Sequence, residues 1–233
     1  MLLNLTIDDQ AIRVRRGTSI LAAAQAHGIH IPTLCNLDGI VPLGGCRICS
    51  VEIEGRVRPV PACATLAESG MVVCTENERL RSTRRQIVEL LLAERNHHCP
   101  VCVMNDNCEL QVLARRFGID HVRYDFISPA LSVDISHERF GIDHNRCVLC
   151  RRCVRVCDEI EGAHTWDVSG RGASSRIISD LADRWGECAS CTDCGKCVQA
   201  CPTGALFEKG VAVTRKGTTD LEWLVEWRKG RGR

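Results

Sequence analysis

Apolar and polar positions alternate from the start of the chain. In residues 2–14, LLNLTIDDQAIRV, the alternation runs into a polar Asp8–Asp9–Gln10 turn and out again, which predicts a β-hairpin with one buried face. Thr18 or Ser19 then stands before ILAAAQAH, an apolar stretch stopped by Gly28, and this predicts a short capped helix. The stretches ICSVEIEG and GMVVCT read as two further strands. Residues 79–94, RLRSTRRQIVELLLAE, carry Leu80, Ile87, Leu90 and Leu91 at helical spacing and predict a longer helix. At the far end, DLEWLVEWRKGRGR brings Leu221, Leu224, Val225 and Trp227 to one face of a helix. That stripe is expected to pack on its own domain, with docking to a partner as its second use. The mixture of strand and helix patterns predicts an α+β chain.

Composition changes this picture at one residue type. Among 233 residues there are 17 cysteines, while net charge is +1 and aromatics are 4%. A near-neutral, aromatic-poor chain lacks the basic face and stacking platforms of nucleic-acid binding. The opening MLLNLTIDDQAIRVRRG is broken by charges before an apolar run forms, and no segment approaches the roughly 20 apolar residues of a membrane span. The expected location is therefore the cytoplasm, with peripheral membrane association through a complex as the other arrangement. Cytoplasmic thiols stay reduced, so dense cysteine points to metal rather than disulfides. No G-x-G-x-x-G follows a strand and no nucleophile stands with a base, so the chain is expected to bind neither flavin nor NAD and to hold no substrate.

The cysteines fall in patterns. CVLCRRCVRVCDE (147–159) and CTDCGKCVQACP (191–202) repeat one spacing, C-x2-C-x2-C-x3-C. This is the bacterial ferredoxin pattern, in which the fourth cysteine serves the other cluster. It predicts two crossed [4Fe–4S] sites, one on Cys147, Cys150, Cys153 and Cys201, the other on Cys157, Cys191, Cys194 and Cys197. Asp158 replaces the proline that usually follows the last cysteine; that proline ends a turn and ligates nothing. The Cys201–Pro202 pair sets the register of the second copy and leaves Cys188 over. A tetrahedral zinc site takes two C-x2-C pairs and needs neither the third nor the fourth cysteine of each copy.

Two more groups lie upstream. Cys35, Cys46, Cys49 and Cys63, spaced x10, x2 and x13, surround a glycine-rich LGGC loop where backbone can approach a cluster closely. Hairpin, helix, cysteine loop and strands resemble the β-grasp of plant-type ferredoxins, which implies a [2Fe–2S] cluster on these four. The zinc ribbon is the weaker rival. In RNHHCPVCVMNDNCELQ, Cys99, Cys102 and Cys108 leave one corner of a third [4Fe–4S] cluster without a thiolate. His97 or His98 can supply an imidazole. Cys74, in the GMVVCT strand, is expected to be a buried core residue.

The order of these motifs resembles the N-terminal electron-transfer module of the complex I large peripheral subunit, of [FeFe]-hydrogenases and of NAD-linked formate dehydrogenases. GIDHNRCVLCRRCVRVCDEIEGAHTWDVSGRG, and the end of the chain about thirty residues after Cys201, are similar to the small diaphorase subunits of bidirectional NAD-reducing [NiFe]-hydrogenases. Many relatives have H-x3-C before the middle cluster, where this chain has Arg95. The hydrogenase diaphorases have NH-x-C, which matches Asn96, His97 and Cys99 and selects His97 over His98. The resemblance implies an electron relay with one [2Fe–2S] and three [4Fe–4S] clusters. Its implied partners are a flavin/NAD diaphorase subunit and the small and large [NiFe] subunits, with an additional small [2Fe–2S] subunit or ferredoxin as a further one. A formate dehydrogenase or complex I-like oxidoreductase is the alternative setting. The expected domains are 1–78 (β-grasp [2Fe–2S]), 79–137 (helical, His/Cys [4Fe–4S]) and 138–212 (two [4Fe–4S]), with a 213–233 tail.

Overall fold

The computed structural model describes residues 1–211; the amphipathic tail expected over 213–233 lies outside the described residues. The described residues divide into two compact units, one of Met1–Asn36 and Pro42–Val88, the other of Leu37–Val41 and the described residues from Glu89 onward. Both mix helices with small sheets, an α+β architecture. No described helix is long and apolar enough to cross a membrane.

In the first unit β1 (Leu2–Ile7) pairs antiparallel with β2 (Gln10–Arg15), Ile7 opposite Gln10. Asp8 and Asp9 form the two-residue turn at φ 48° and 64°, a left-handed pair that short polar side chains tolerate. Leu3, Leu5, Ile7, Ile12 and Val14 all face the core. α1 (Ile20–Ala26) starts at Ser19, whose hydroxyl accepts from the Ala22 N–H at 3.2 Å, and buries Ile20, Leu21, Ala23 and Ala24. β3 (Ser50–Ile53), β4 (Val60–Pro61) and β5 (Val72–Cys74) complete a sheet of order β2-β1-β5-β3-β4, with β1 and β5 parallel.

α2 (Glu78–Glu94) follows, with Asn77 Oδ1 accepting from the Leu80 N–H at 2.8 Å. Its buried stripe differs from the apolar one expected: Leu90 is 50% exposed, and Leu80, Arg84 and Val88 face inward. The inward position goes to an arginine because backbone carbonyls wait there. Arg84 donates to the carbonyls of Ile48 (3.0 Å), Ser50 (2.7 Å) and Thr75 (2.8 Å) and pairs with Glu76 at 2.7 Å. A search for apolar periodicity passes over such a residue.

The second unit contains α3 (Glu109–Arg116), β6 (Val133–Asp134), β7 (Phe140–Asp143), α4 (Arg152–Val156), β8 (Trp166–Ser169), β9 (Arg176–Ser179), α5 (Lys196–Ala200) and β10 (Leu206–Glu208). β10, β7 and β6 form one sheet in that order, and β8 pairs with β9. α4 runs into a π-helical turn, Cys157–Glu161. Phe140, Ile142, Trp166, Ile177, Trp185, Val198 and Leu206 make the core together with Cys153, Cys157 and Cys197. The start of α3 is tied to the end of the cysteine domain: the Glu109 N–H donates to the Pro202 carbonyl at 2.9 Å, and Arg152 forks onto the Glu109 carboxylate at 2.6 and 2.8 Å. Gly204 permits this approach, since at φ +68° a Cβ there would lie 2.2 Å from Met104 Cγ.

Candidate metal centres

The two copies of the repeated motif fold alike. Leu149 and Asp193, at equivalent positions, have φ of 51° and 62°; Arg151 and Gly195 have 58° and 69°. Two left-handed residues per copy curl each C-x2-C-x2-C into a loop, and α4 or α5 begins immediately afterwards. The non-glycine residues adopt this conformation at a cost of about 1 kcal/mol each, the kind of local strain found around bound groups.

Cys147, Cys150, Cys153 and Cys201 line one pocket with Ile142, Ile177 and Leu206. The fourth sulfur thus comes from the other copy. Burial pushes the Cys147 thiol up to about 11 and Cys150 up to about 12, and raises Cys153 well above its ordinary value. Cys197 is driven to about 12 by burial, with added repulsion from Cys194, Cys157 and Cys191.

The middle group, His97, His98, Cys99, Cys102 and Cys108, lines a second pocket. His97 Nε2 donates to the Leu91 carbonyl at 3.2 Å, which leaves Nδ1 as the nitrogen with a lone pair to offer. Burial, followed by the cations Arg95 and Arg146, lowers its pKa to about 4, so the ring is neutral near pH 7. His98 is exposed. Arg95 is buried and donates to the Ser175 carbonyl at 2.9 Å. Thr203 lines both this pocket and that of Cys147.

In the first unit Cys35, Cys49 and Cys63 are buried and Cys46 is half-buried. The Cys46 N–H lies 3.5 Å from Cys35 Sγ, and Cys49 Sγ lies 3.4 Å from Cys63 Sγ. Hydrogen bonding to Cys63, then burial, raises the Cys49 thiol, while the same bond lowers Cys63. Gly44, at φ +64°, turns its N–H toward Cys63, and a Cβ there would press Pro61 Cγ at 3.3 Å. The Arg84 bonds to Ile48 and Ser50 fasten the chain on both sides of Cys49.

The two leftover cysteines line neither the Cys147 pocket nor the Cys99 pocket. Cys74 is half-buried rather than enclosed in the core, with Asn77 Nδ2 3.6 Å from its sulfur. Cys188 donates to the Arg184 carbonyl at 3.4 Å.

The donor sets fit iron–sulfur clusters. Neighbouring buried thiols repel one another on ionising, and a cationic metal core supplies the missing countercharge. Backbone N–H groups already point at sulfur, from Met104 to Cys102 (3.4 Å), Thr165 to Cys157 (3.3 Å) and Leu206 to Cys201 (3.5 Å). Among the described residues no three or more His, Cys, Asp or Glu side chains close on a single-ion position. Sequence reasoning passes over Arg84, Thr203 and the rings around Cys191, because none of them belongs to a spacing motif.

These features define an iron–sulfur protein of the oxidoreductase class. Residues 1–78 match the 2Fe-2S iron-sulfur cluster binding domain, 84–123 the NADH-ubiquinone oxidoreductase-G iron-sulfur binding region, and 139–207 the ferredoxin-like domain of NADH-quinone oxidoreductase subunit 3. The chain belongs to the family of the gamma subunit of the NAD-reducing hydrogenase HoxS of Cupriavidus necator, to which it is 33% identical over 91% of its own length and 89% of that subunit. A chain in a crystal structure of an NAD+-reducing [NiFe]-hydrogenase superposes with a TM-score of 0.85 at 36% identity, covering 91% of this chain and 89% of that one. Identity is 37% to an NADH-quinone oxidoreductase subunit of Rhizobium meliloti and 40% to the alpha subunit of NADPH-Fe(3+) oxidoreductase of Geobacter sulfurreducens. This chain covers 24% of the length of each.

Proposed function

We propose that this chain is the electron-relay subunit of a cytoplasmic NAD(H)-linked [NiFe]-hydrogenase, standing between a flavin/NAD diaphorase subunit and the small and large hydrogenase subunits. The observation that carries this reading is the match to the NAD+-reducing [NiFe]-hydrogenase chain, at a TM-score of 0.85 over 91% of the residues. Four clusters, when bound, supply one-electron transfer steps. The chain's own residues hold and insulate them. A β-grasp domain over 1–78 offers Cys35, Cys46, Cys49 and Cys63 to a [2Fe–2S] cluster. A helical domain over 79–137 offers His97, Cys99, Cys102 and Cys108 to a [4Fe–4S] cluster. The 138–212 domain offers Cys147, Cys150, Cys153 and Cys201 to a second, and Cys157, Cys191, Cys194 and Cys197 to a third. The Nε2 bond of His97 to Leu91 and the exposure of His98 support the choice of histidine. Thr203, shared by two pockets, gives a short protein path between the middle group and the Cys147 group.

A complex I-like setting is the second reading, favoured by the 37% identity to the NADH-quinone oxidoreductase subunit of Rhizobium meliloti. Anaerobic purification through a tag on this chain separates the two. Co-purifying flavin and [NiFe] subunits support the hydrogenase; quinone-oxidoreductase or formate dehydrogenase subunits overturn it. The isolated chain should bleach with dithionite and stay oxidised with NADH, because splitting a hydride into single electrons needs a two-electron carrier such as flavin.

A further inference from the structure

Four rings in the second unit have no part in cluster ligation, yet they pack against the Cys191 group. Trp185 is 1% exposed and Trp166 4% exposed, and their rings meet edge-on at 4.7 Å. Phe140 stacks on Trp185 at 5.6 Å, and His137 lies 4.7 Å from it. An indole has one polar atom, and that atom can only donate. Trp185 Nε1–H donates to Cys191 Sγ at 3.4 Å. His137 Nδ1 accepts from the N–H groups of Arg139 (3.1 Å) and Phe140 (3.3 Å), so its proton sits on Nε2. There it faces the Asp193 carboxylate at 3.0 Å and Cys191 Sγ at 3.8 Å. Among the described residues, no indole or imidazole lines the pocket of the Cys147 group.

We propose that Trp185 raises the reduction potential of the cluster on Cys157, Cys191, Cys194 and Cys197 by donating its indole N–H to the Cys191 sulfur. The proposal rests on the cluster reading above. A one-electron reduction adds negative charge that spreads onto the sulfurs, so an N–H donor stabilises the reduced form more than the oxidised one. Trp166 meets Trp185 edge-on at 4.7 Å and holds it in place, so the donor is oriented before the electron arrives. Their burial keeps the local dielectric low, where a hydrogen bond is stronger.

The test is a redox titration of the anaerobically purified full chain, read by electron paramagnetic resonance, in Trp185→Phe. Phenylalanine keeps an aromatic ring and removes the N–H. The expected result is full iron content and a more negative midpoint for one [4Fe–4S] signal. The other three midpoints should stay in place. An unmoved midpoint in the fully loaded variant overturns the proposal, as does an equal shift of both clusters in the domain. If phenylalanine at 185 costs the cluster, benzothienylalanine puts sulfur in place of the N–H at nearly the same shape. An unchanged midpoint there, or iron loss there too, gives the indole a packing role only and also overturns the proposal. A wild-type chain that lacks one of the three [4Fe–4S] signals instead faults the cluster reading itself.

Discussion

The cysteine loop of the first unit and the doubled motif of the second solve one problem by different means. The doubled motif is local. Three cysteines within seven residues, with left-handed turns at Leu149 and Arg151 or at Asp193 and Gly195, set their sulfurs around one centre. The first-unit loop spreads its cysteines over x10, x2 and x13 gaps. Short turns cannot fix sulfurs that far apart in the chain. Around Cys49 a buried cation from α2 adds support, with Arg84 binding the carbonyls of Ile48 and Ser50. Closely spaced cysteines can thus be placed by local backbone, whereas the widely spaced loop also draws on a distant side chain.

The sharpest way to break this contrast is to exchange the fourth cysteines. Cys201→Ser should abolish the cluster built on Cys147, Cys150 and Cys153, and Cys157→Ser the one built on Cys191, Cys194 and Cys197. Each loses about four of roughly 14 irons. Iron and acid-labile sulfide analysis with resonance spectra reads the result. If each substitution abolishes the cluster of its own copy, the doubled motif is not crossed.

Arg84→Ala attacks the other side of the contrast. It strips three buried carbonyls of their donor and should cost about 3 kcal/mol. Denaturant melts should show the loss together with fading of the [2Fe–2S] absorbance, while the [4Fe–4S] signals persist. Arg84→Lys should recover part of the stability, because one ammonium cannot reproduce the guanidinium fork. An alanine variant as stable as wild type would mean the loop holds itself.

The same contrast explains what can be read in advance. The hairpin, the Ser19-capped helix and the repeated cysteine motif rest on local rules, and each is visible as a run of letters. The buried face of α2 escapes those rules, because Arg84 is polar by type and buried by circumstance. The edge contact of Trp166 with Trp185 and the close approach of Gly204 to Met104 join residues in different segments of the sequence, which no periodicity reports.

Gly204→Ala tests one of those long-range contacts. A methyl group 2.2 Å from Met104 Cγ, on a residue at φ +68°, should cost about 2 kcal/mol. Adding Met104→Ala should remove the 2.2 Å contact with Cγ and leave the 2.9 Å contact with Cβ and the backbone strain, so the two effects should not add. Additive losses would show that the contact is not what matters.

A smaller effect is expected at the one proposed non-cysteine ligand. His97→Cys exchanges a neutral imidazole for a thiolate. It should keep the middle cluster and make its midpoint more negative, since the added negative charge opposes reduction. If His97→Ala leaves that cluster's spectrum and potential untouched while His98→Ala alters them, the ligand is one residue along.

The smallest effect belongs to the two cysteines outside every group. Cys74→Ser places a hydroxyl where the thiol already lies 3.5 Å from the Glu76 carbonyl and 3.6 Å from Asn77 Nδ2. Cys188→Ser keeps a donor for the Arg184 carbonyl, 3.4 Å from the present sulfur. Because Cys74 and Cys188 are half-buried and keep their polar contacts as serine, each change should cost less than about 1 kcal/mol. Iron content and all four cluster signals should match wild type. Cys188 is the more demanding of the pair, because it lies three residues before Cys191 and could begin a C-x2-C pattern shifted by one step. A serine there that removes a cluster would put Cys188 in the ligand set and move the whole second copy out of register. A fully loaded variant leaves Cys191 as the first ligand of its copy.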